Sequence, residues 1–299
     1  MNSAMLLAVL CAMAGGFCLA GFGVAISVMN RKGRDTFAYL FWNALFTIPP
    51  ALLLLGKPAE LFREPLQRLP ELVWWIAGGG VASIGGSLCV QAAMRQGNNN
   101  LVWAIQQSAL LIPFFSGVAF FQQRCSGFQA AGALLILFGI FYPVWQYRHA
   151  SAGATRRWLP FALGAFLLTG GSEAMQNVPS YWQDWRDVGA LRCPLAYLGG
   201  TVGSGLAALA LRRRLLPLGP LWKPALGMAL WNLLTVWTMF RALDLCAAQR
   251  LGAVGYPVLV GSSIVFFALY SLRIMKEKTS RAGWFGLLGI LAGIAVIAL

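Results

Sequence analysis

Runs of about eighteen or more mainly apolar residues recur along this chain, each closed by a short polar or charged segment. A helix rises about 1.5 Å per residue, so each run is long enough to cross the roughly 30 Å hydrocarbon core of a bilayer. The runs predict helices at 4–29, 36–55, 71–94, 100–121, 127–147, 158–177, 189–211, 222–243, 251–274 and 282–298, ten in all. They are solidly apolar and do not alternate residue by residue, which excludes an outer-membrane barrel. The expected fold is an all-α integral membrane protein with ten transmembrane helices. The N-terminal run carries no basic leader and is too long for the apolar part of a signal peptide, so it reads as a retained first span. Segment 56–70, GKPAELFREPLQRLP, is punctuated by prolines and mixes charges, and reads as an amphipathic surface segment.

Composition agrees with this pattern. Of 299 residues, 59% are apolar and 11% charged, with a mean hydropathy of +0.68; soluble domains are near half apolar and a quarter charged. The net charge of +14 would suggest nucleic acid in a soluble protein. Here the basic residues sit almost entirely in short loops, where membrane topology and lipid headgroups account for them, and no nucleic-acid partner is expected. The odd-numbered loops hold fifteen Lys and Arg, the even-numbered loops eight, and the tails none. Basic loops stay in the cytoplasm, so both termini are expected on the extracytoplasmic face of the cell (inner) membrane. Six cysteines form no CxxC pair and read as small packing residues. The single histidine, His149, falls in the loop YRHASAGATRR. Nothing in the sequence asks for a metal or another cofactor.

Ten spans divide into two sets of five, 1–150 and 151–299. QQRCSGFQAAGALLILFGI around the fourth and fifth spans matches KEKTSRAGWFGLLGILAGI around the ninth and tenth, pairing Gly132 with Gly286 at an offset of 154. AGGFCLAGF in the first span and TGGSEAMQN in the sixth pair Gly15-Gly16 with Gly170-Gly171 at an offset of 155. Five is odd, so the second repeat would be inverted relative to the first. Inverted repeats are a signature of secondary transporters, which bind solute near the midplane between them.

With a charged turn and a Gly-rich helix closing each half, the chain resembles the drug/metabolite transporter superfamily, in particular its EamA-like ten-helix members. In YSLRIMKEKTSRAGWFGLLGILAGIAVIAL, Glu277 matches the glutamate that follows the fourth helix of a half in that pattern; the first half has Gln123 there, a departure. FGVAISVMNRKGRDTF and SEAMQNVPS are similar to the bacterial L-rhamnose–proton symporter group. The resemblance implies a small-molecule solute, a lipid bilayer around a chain for which a monomer suffices and a dimer is compatible, and transport that can be coupled to protons.

Polar residues inside apolar runs are the candidates for chemistry, because lipid leaves their hydrogen-bonding groups unsatisfied. Glu173 is the one clear intramembrane acid. It lies fifteen residues after Trp158, about 22 Å along a helix, with Thr169, Gln176 and Asn177 on its face. It could bind a proton, a cationic group or a sugar hydroxyl, or lie hydrogen-bonded at the headgroup boundary. By the repeat it corresponds to Cys18, and small multidrug exporters, which the chain also resembles here, keep a working glutamate on the first helix of a half. In the fourth span Trp103, Gln106 and Gln107 share a face, an indole platform beside two amides; an interfacial tryptophan is the plainer reading. Tyr256 and Pro257 fall at the matching depth of the ninth span. Ser87 with Gln91, and Trp231 and Asn232 with Thr235, could meet a solute or bind helices to one another. Gly199-xxx-Gly203 and Gly289-xxx-Gly293 read as packing seams.

These features predict a secondary active transporter of a small polar metabolite that works by alternating access around a central cavity. Its substrate-binding set would be Gln91, Trp103, Gln106, Gln107, Glu173, Gln176, Asn177, Trp231, Asn232 and Tyr256, with Glu173 the proton-coupling group. A carbohydrate-like solute comes first, from the symporter resemblance and the Gln/Asn/Trp complement. An amino acid or a small organic cation comes second. No GxxxxGK[ST] motif is present, so ATP-driven transport would need a partner chain. An integral membrane enzyme lacks a catalytic cluster in this sequence, and a non-transporting membrane protein fits ten polar-striped spans less well; no enzymatic activity is expected.

Overall fold

The computed structural model describes residues 3–34, 36–54, 68–121, 126–150, 157–182, 185–215, 219, 221–248 and 252–297. Each of the ten expected spans is helical over its described residues, and no strand occurs among the described residues. In chain order the helices are α1 (Ser3–Arg31), α2 (Thr36–Leu54), α3 (Leu69–Met94), α4 (Asn99–Gln107) and α5 (Leu111–Phe121), then α6 (Gly127–Ala150) and α7 (Trp158–Asn177). They continue as α8 (Trp185–Ala210), α9 (Trp222–Ala248), α10 (Gly252–Arg273) and α11 (Arg281–Ile297). Most of the amphipathic segment expected at 56–70 lies outside the described residues.

Five helical stretches, Leu6–Arg31, Thr36–Leu53, Leu69–Met94, Asn99–Phe121 and Leu191–Ala210, are both long and apolar enough to cross a membrane. Gly127–Tyr142, Val258–Arg273 and Arg281–Val296 are shorter apolar stretches. Large side chains cover the outside of these helices; Leu53, Phe120 and Leu209 are 77%, 79% and 77% exposed. In water such a surface would aggregate, whereas in a bilayer it is the face that lipid tails cover. The chain is a multi-pass membrane protein.

One expectation needs correction. Helix α6 runs to Ala150, so His149 belongs to its last turn and not to a loop. The fourth span is helical from Asn99 to Phe121 as expected, and it tightens midway into a 3₁₀ turn at Ser108–Leu110 that joins α4 to α5. The cause is local. The Ser108 hydroxyl donates to the Ala104 carbonyl at 2.7 Å, and side chains that bond back in this way loosen the helix at that turn. Pro113 then has no N–H to return to the Ala109 carbonyl.

The bundle interleaves the two stretches of chain. Helix α6 packs on α11, α3 on α7 and α8, α1 on α9 and α10, and α2 on α8 and α9, so every major pairing joins a helix before residue 150 to one after it. Small residues let the backbones approach. A Cβ on Gly199 would lie 2.0 Å from the Ala77 carbonyl oxygen, one on Gly80 2.1 Å from that of Ala196, and one on Gly16 2.3 Å from that of Leu259. Gly289 and Gly293 bring α11 against Gly139 and Gly132 of α6 in the same way. Lipid tails are as apolar as leucine, so close van der Waals contact of this kind is what holds membrane helices together.

Candidate functional site

The 3₁₀ turn in the fourth span faces α7. A Cβ on Gly170 would lie 2.8 Å from the Ala109 carbonyl oxygen and 2.4 Å from Ile112, so only glycine admits the turn here. One turn back, Gln106 is 7% exposed. Its Nε2 donates to the Thr169 hydroxyl of α7 at 3.5 Å, a long bond at the edge of hydrogen-bond range. Its Oε1 is buried with no hydrogen-bond partner. Such an atom keeps its full desolvation cost unless something else donates to it.

From Thr169 the polar face of α7 continues as expected. Glu173 is half-buried one turn on. Gln176 Nε2 donates to the Ser172 hydroxyl at 2.9 Å, and that hydroxyl donates to the Gly79 carbonyl of α3 at 2.7 Å. Asn177 Nδ2 donates to the Tyr181 hydroxyl at 3.3 Å. The Tyr181 ring stacks on Phe121 of α5 at 3.8 Å, and burial pushes its phenol above the ordinary tyrosine range. The structure thus joins Gln106 of α4 to Thr169 of α7 and Gln176 of α7, through Ser172, to α3, while Asn177 bonds to Tyr181 just beyond its own helix. Ser172, an unremarked serine in the sequence, is the member that ties Gln176 to α3.

Trp103 points elsewhere. It is 1% exposed, lies against Gly23 of α1, stacks on Phe267 of α10 at 5.1 Å and donates its indole N–H to the Ser263 hydroxyl at 3.3 Å. It is not at the interface with water, and its faces are taken up by α1 and α10. Gln107 is buried next to Gln106.

The other candidates lie at separate helix junctions. Gln91 Nε2 donates to the Thr36 hydroxyl of α2, and its backbone carbonyl accepts from Asn30 Nδ2 at 3.2 Å. Asn232 Nδ2 donates to Asn43 Oδ1 at 3.2 Å, joining α9 to α2. Trp231 donates to the Cys18 carbonyl at 2.6 Å and fits over Gly21 of α1, while the Thr235 hydroxyl turns back to the carbonyl of Trp231 at 2.9 Å. Each bonds to a neighbouring helix or turns back onto its own. Tyr256 and Pro257 lie on α10 with side chains outside the described residues.

A second polar assembly closes one end of the bundle. The segment after α10 reaches the start of α4: the Glu277 carboxylate accepts the Asn99 backbone N–H at 3.1 Å, the Asn99 side-chain amide and the Ser271 hydroxyl at 2.7 Å. Asn98 Nδ2 donates to the Lys278 carbonyl at 3.4 Å, Asn100 Nδ2 to the Thr279 hydroxyl at 3.4 Å, and Arg31 Nη2 to the Met275 carbonyl at 3.2 Å. A carboxylate at a helix N-terminus satisfies amides that have no partner within the helix and complements the helix dipole. Glu277 stood out in the sequence as the end-of-half glutamate; its partner at the RQGNNN turn did not.

Comparison with known proteins agrees with this architecture. Residues 6–144 match the EamA-like transporter family, consistent with the drug/metabolite transporter superfamily. No curated protein matches the chain. A crystal structure of a protein matches 97% of this chain and 95% of its own, with a TM-score of 0.60 at 15% sequence identity. At that identity the likeness is one of fold, and it extends over all ten spans.

Proposed function

We propose that this EamA-like chain is a secondary active transporter of a small polar metabolite, with the solute taken up at the seam of α4 and α7. The observation that carries the reading is the Gln106 amide. It is buried next to a 3₁₀ turn within its span, with one oxygen unpartnered, and a mid-helix 3₁₀ stretch often marks a functional hinge. Thr169, which accepts from its amide, Gln107 beside it in the chain and Glu173 one turn beyond Thr169 on α7 supply further donors and acceptors. A neutral amide beside hydroxyls and a carboxylate suits a polyhydroxyl, carbohydrate-like solute, as does the resemblance to the rhamnose symporter group. The Glu173 carboxylate favours as second reading an amino acid or small organic cation, whose ammonium group it would pair.

Solute passes when the cavity faces the two sides of the bilayer in turn. The interleaved pairing of helices from 1–150 with helices from 151–299 supports two repeats that rock about the seam. The bonds from segment 274–280 to α1 and α4 hold one face shut and must part when that face opens. Glu173, the acid within a span, carries the coupling proton in this reading, taking it up with access to one side of the membrane and releasing it with access to the other. The protein acts in the cell (inner) membrane.

A thermal-shift panel of sugars, polyols, amino acids, amines and nucleosides on purified protein, followed by counterflow in proteoliposomes, tests the function. Binding raises stability by mass action, so a polyhydroxyl solute is expected to raise the melting temperature and to exchange. If no solute of any class does either, the transporter reading is wrong; a hit confined to amines overturns the carbohydrate preference alone.

A further inference from the structure

The C-terminal end of α8 has a feature that solute transport does not use. An open-sided pocket of about 400 Å³ is lined by Gly205, Ala208, Leu209, Arg213, Arg214 and Leu215. Its floor is the small-residue face of α8, and its inner wall continues into side chains that face lipid, with Leu206 57% and Leu209 77% exposed. Its rim is basic. Arg212, Arg213 and Arg214 are all exposed, and no described carboxylate pairs with any of them.

The backbone presents these arginines in an unusual way. Helix α8 ends with Arg213 N–H donating to the Ala208 carbonyl at 2.8 Å and Arg212 N–H to that of Leu209 at 3.1 Å, the two bonds of a Schellman cap. That cap needs a left-handed residue, here Arg212 at φ 49°. Helix α1 ends in the same cap with Gly33 at φ 60° in that place, Arg34 N–H donating to Met29 and Gly33 N–H to Asn30, both at 3.1 Å. Glycine is the residue this conformation favours; α8 uses arginine instead and so begins a run of three cations at the turn. Past the turn, the Leu215 carbonyl accepts the indole N–H of Trp42 at 2.9 Å, fixing the strand of chain that forms the pocket's far side against α2.

We infer that this pocket is a binding site for an anionic phospholipid. The phosphodiester sits between Arg213 and Arg214, and one acyl chain lies along Gly205, Ala208 and Leu209 toward the bilayer interior. Charge complementarity picks the headgroup, because basic pockets at helix ends attract anionic lipids over neutral ones. Continuity between the cationic rim and the lipid-facing ridge picks a lipid over a free anion, which would use the rim alone.

The test measures lipid binding to the purified full chain. Wild-type protein in nanodiscs or detergent is titrated with dioleoyl phosphatidylglycerol, dioleoyl phosphatidylcholine and inorganic phosphate, and bound lipid is read by native mass spectrometry and by the shift in melting temperature. The expected result is preference for phosphatidylglycerol, lowered about fivefold for each arginine removed in Arg213→Gln and Arg214→Gln. Lys32→Gln, on an exposed cation outside the pocket, leaves the preference unchanged. Leu209→Trp keeps every charge but fills the groove and also lowers lipid binding; its side chain faces lipid, so this variant stays informative if the arginine variants fail to fold. Equal binding of the two lipids, stabilisation by inorganic phosphate as strong as by phosphatidylglycerol, or full retention of lipid by Leu209→Trp would each overturn the assignment.

Discussion

The Glu277 carboxylate accepts the backbone N–H of Asn99 at 3.1 Å, across 178 residues of chain. It caps the helix that carries Gln106 and fastens the end of α10 to the start of α4. Glu277→Ala removes an anionic cap and leaves Asn99 N–H and the Ser271 hydroxyl to find other partners. We expect a stability loss of about 1–3 kcal/mol, read as a lower melting temperature in detergent. We also expect faster labelling of a cysteine placed at Asn98, from the face that the junction closes. Unchanged labelling would show that the junction does not gate that face.

Gln106→Leu separates binding from packing. The leucine removes a buried amide whose oxygen has no partner, so stability should hold or rise, since an unsatisfied buried polar atom costs about 1–3 kcal/mol. Transport should fall by about tenfold or more, the loss expected for one or two hydrogen bonds to solute. A variant that transports normally at raised stability would confine Gln106 to a packing role.

Glu173→Gln distinguishes three roles of one residue. The amide is nearly isosteric, so the fold should persist. If Glu173 carries the coupling proton, pH-driven accumulation is lost while solute counterflow continues, because exchange moves no net proton. Loss of both activities together would make it a direct solute ligand. Changes of no more than a few-fold in either would make it a boundary residue.

Gly199→Ala tests the seam between α8 and α3. The added methyl would lie 2.0 Å from the Ala77 carbonyl oxygen, and a backbone atom cannot yield as a flexible side chain can. Overpacking of this sort costs about 1–3 kcal/mol, and the measurement is the fraction of folded protein recovered by size exclusion. Gly171→Ala, with open space where its Cβ would go, serves as the control and should fold normally.

Orientation is checked at the C-terminus. The fifteen-to-eight excess of basic residues in odd-numbered loops predicts extracytoplasmic termini. A reporter that is active only in the cytoplasm should therefore stay silent when fused after Leu299. Strong activity would reverse the topology without altering the fold.

The sequence by itself determined the number and placement of the spans, because a bilayer demands long apolar helices and each such run is local information. It determined the packing seams for the same reason: Gly199-xxx-Gly203 can only be a close approach or a waste of helix. It also marked the polar face of α7, since residues three and four apart must share a side. What only the tertiary structure decided is which helix each polar group meets. Gln91 and Asn232 looked no different in the sequence from Gln106, yet each finds a partner on α2, at Thr36 and Asn43, while Gln106 keeps an unpartnered oxygen. Trp103 lies three residues before Gln106, but it is turned toward α1 and α10 by the space at Gly23 and the ring of Phe267. The 3₁₀ turn at Ser108–Leu110 had a local trace in Ser108 and Pro113, though a serine or a proline also occurs in regular membrane helices; the gap that Gly170 leaves on α7 makes the turn fit. Hydrophobicity is a property of a segment and is readable along the chain, whereas hydrogen-bond satisfaction is a property of a pair and exists only once distant segments meet.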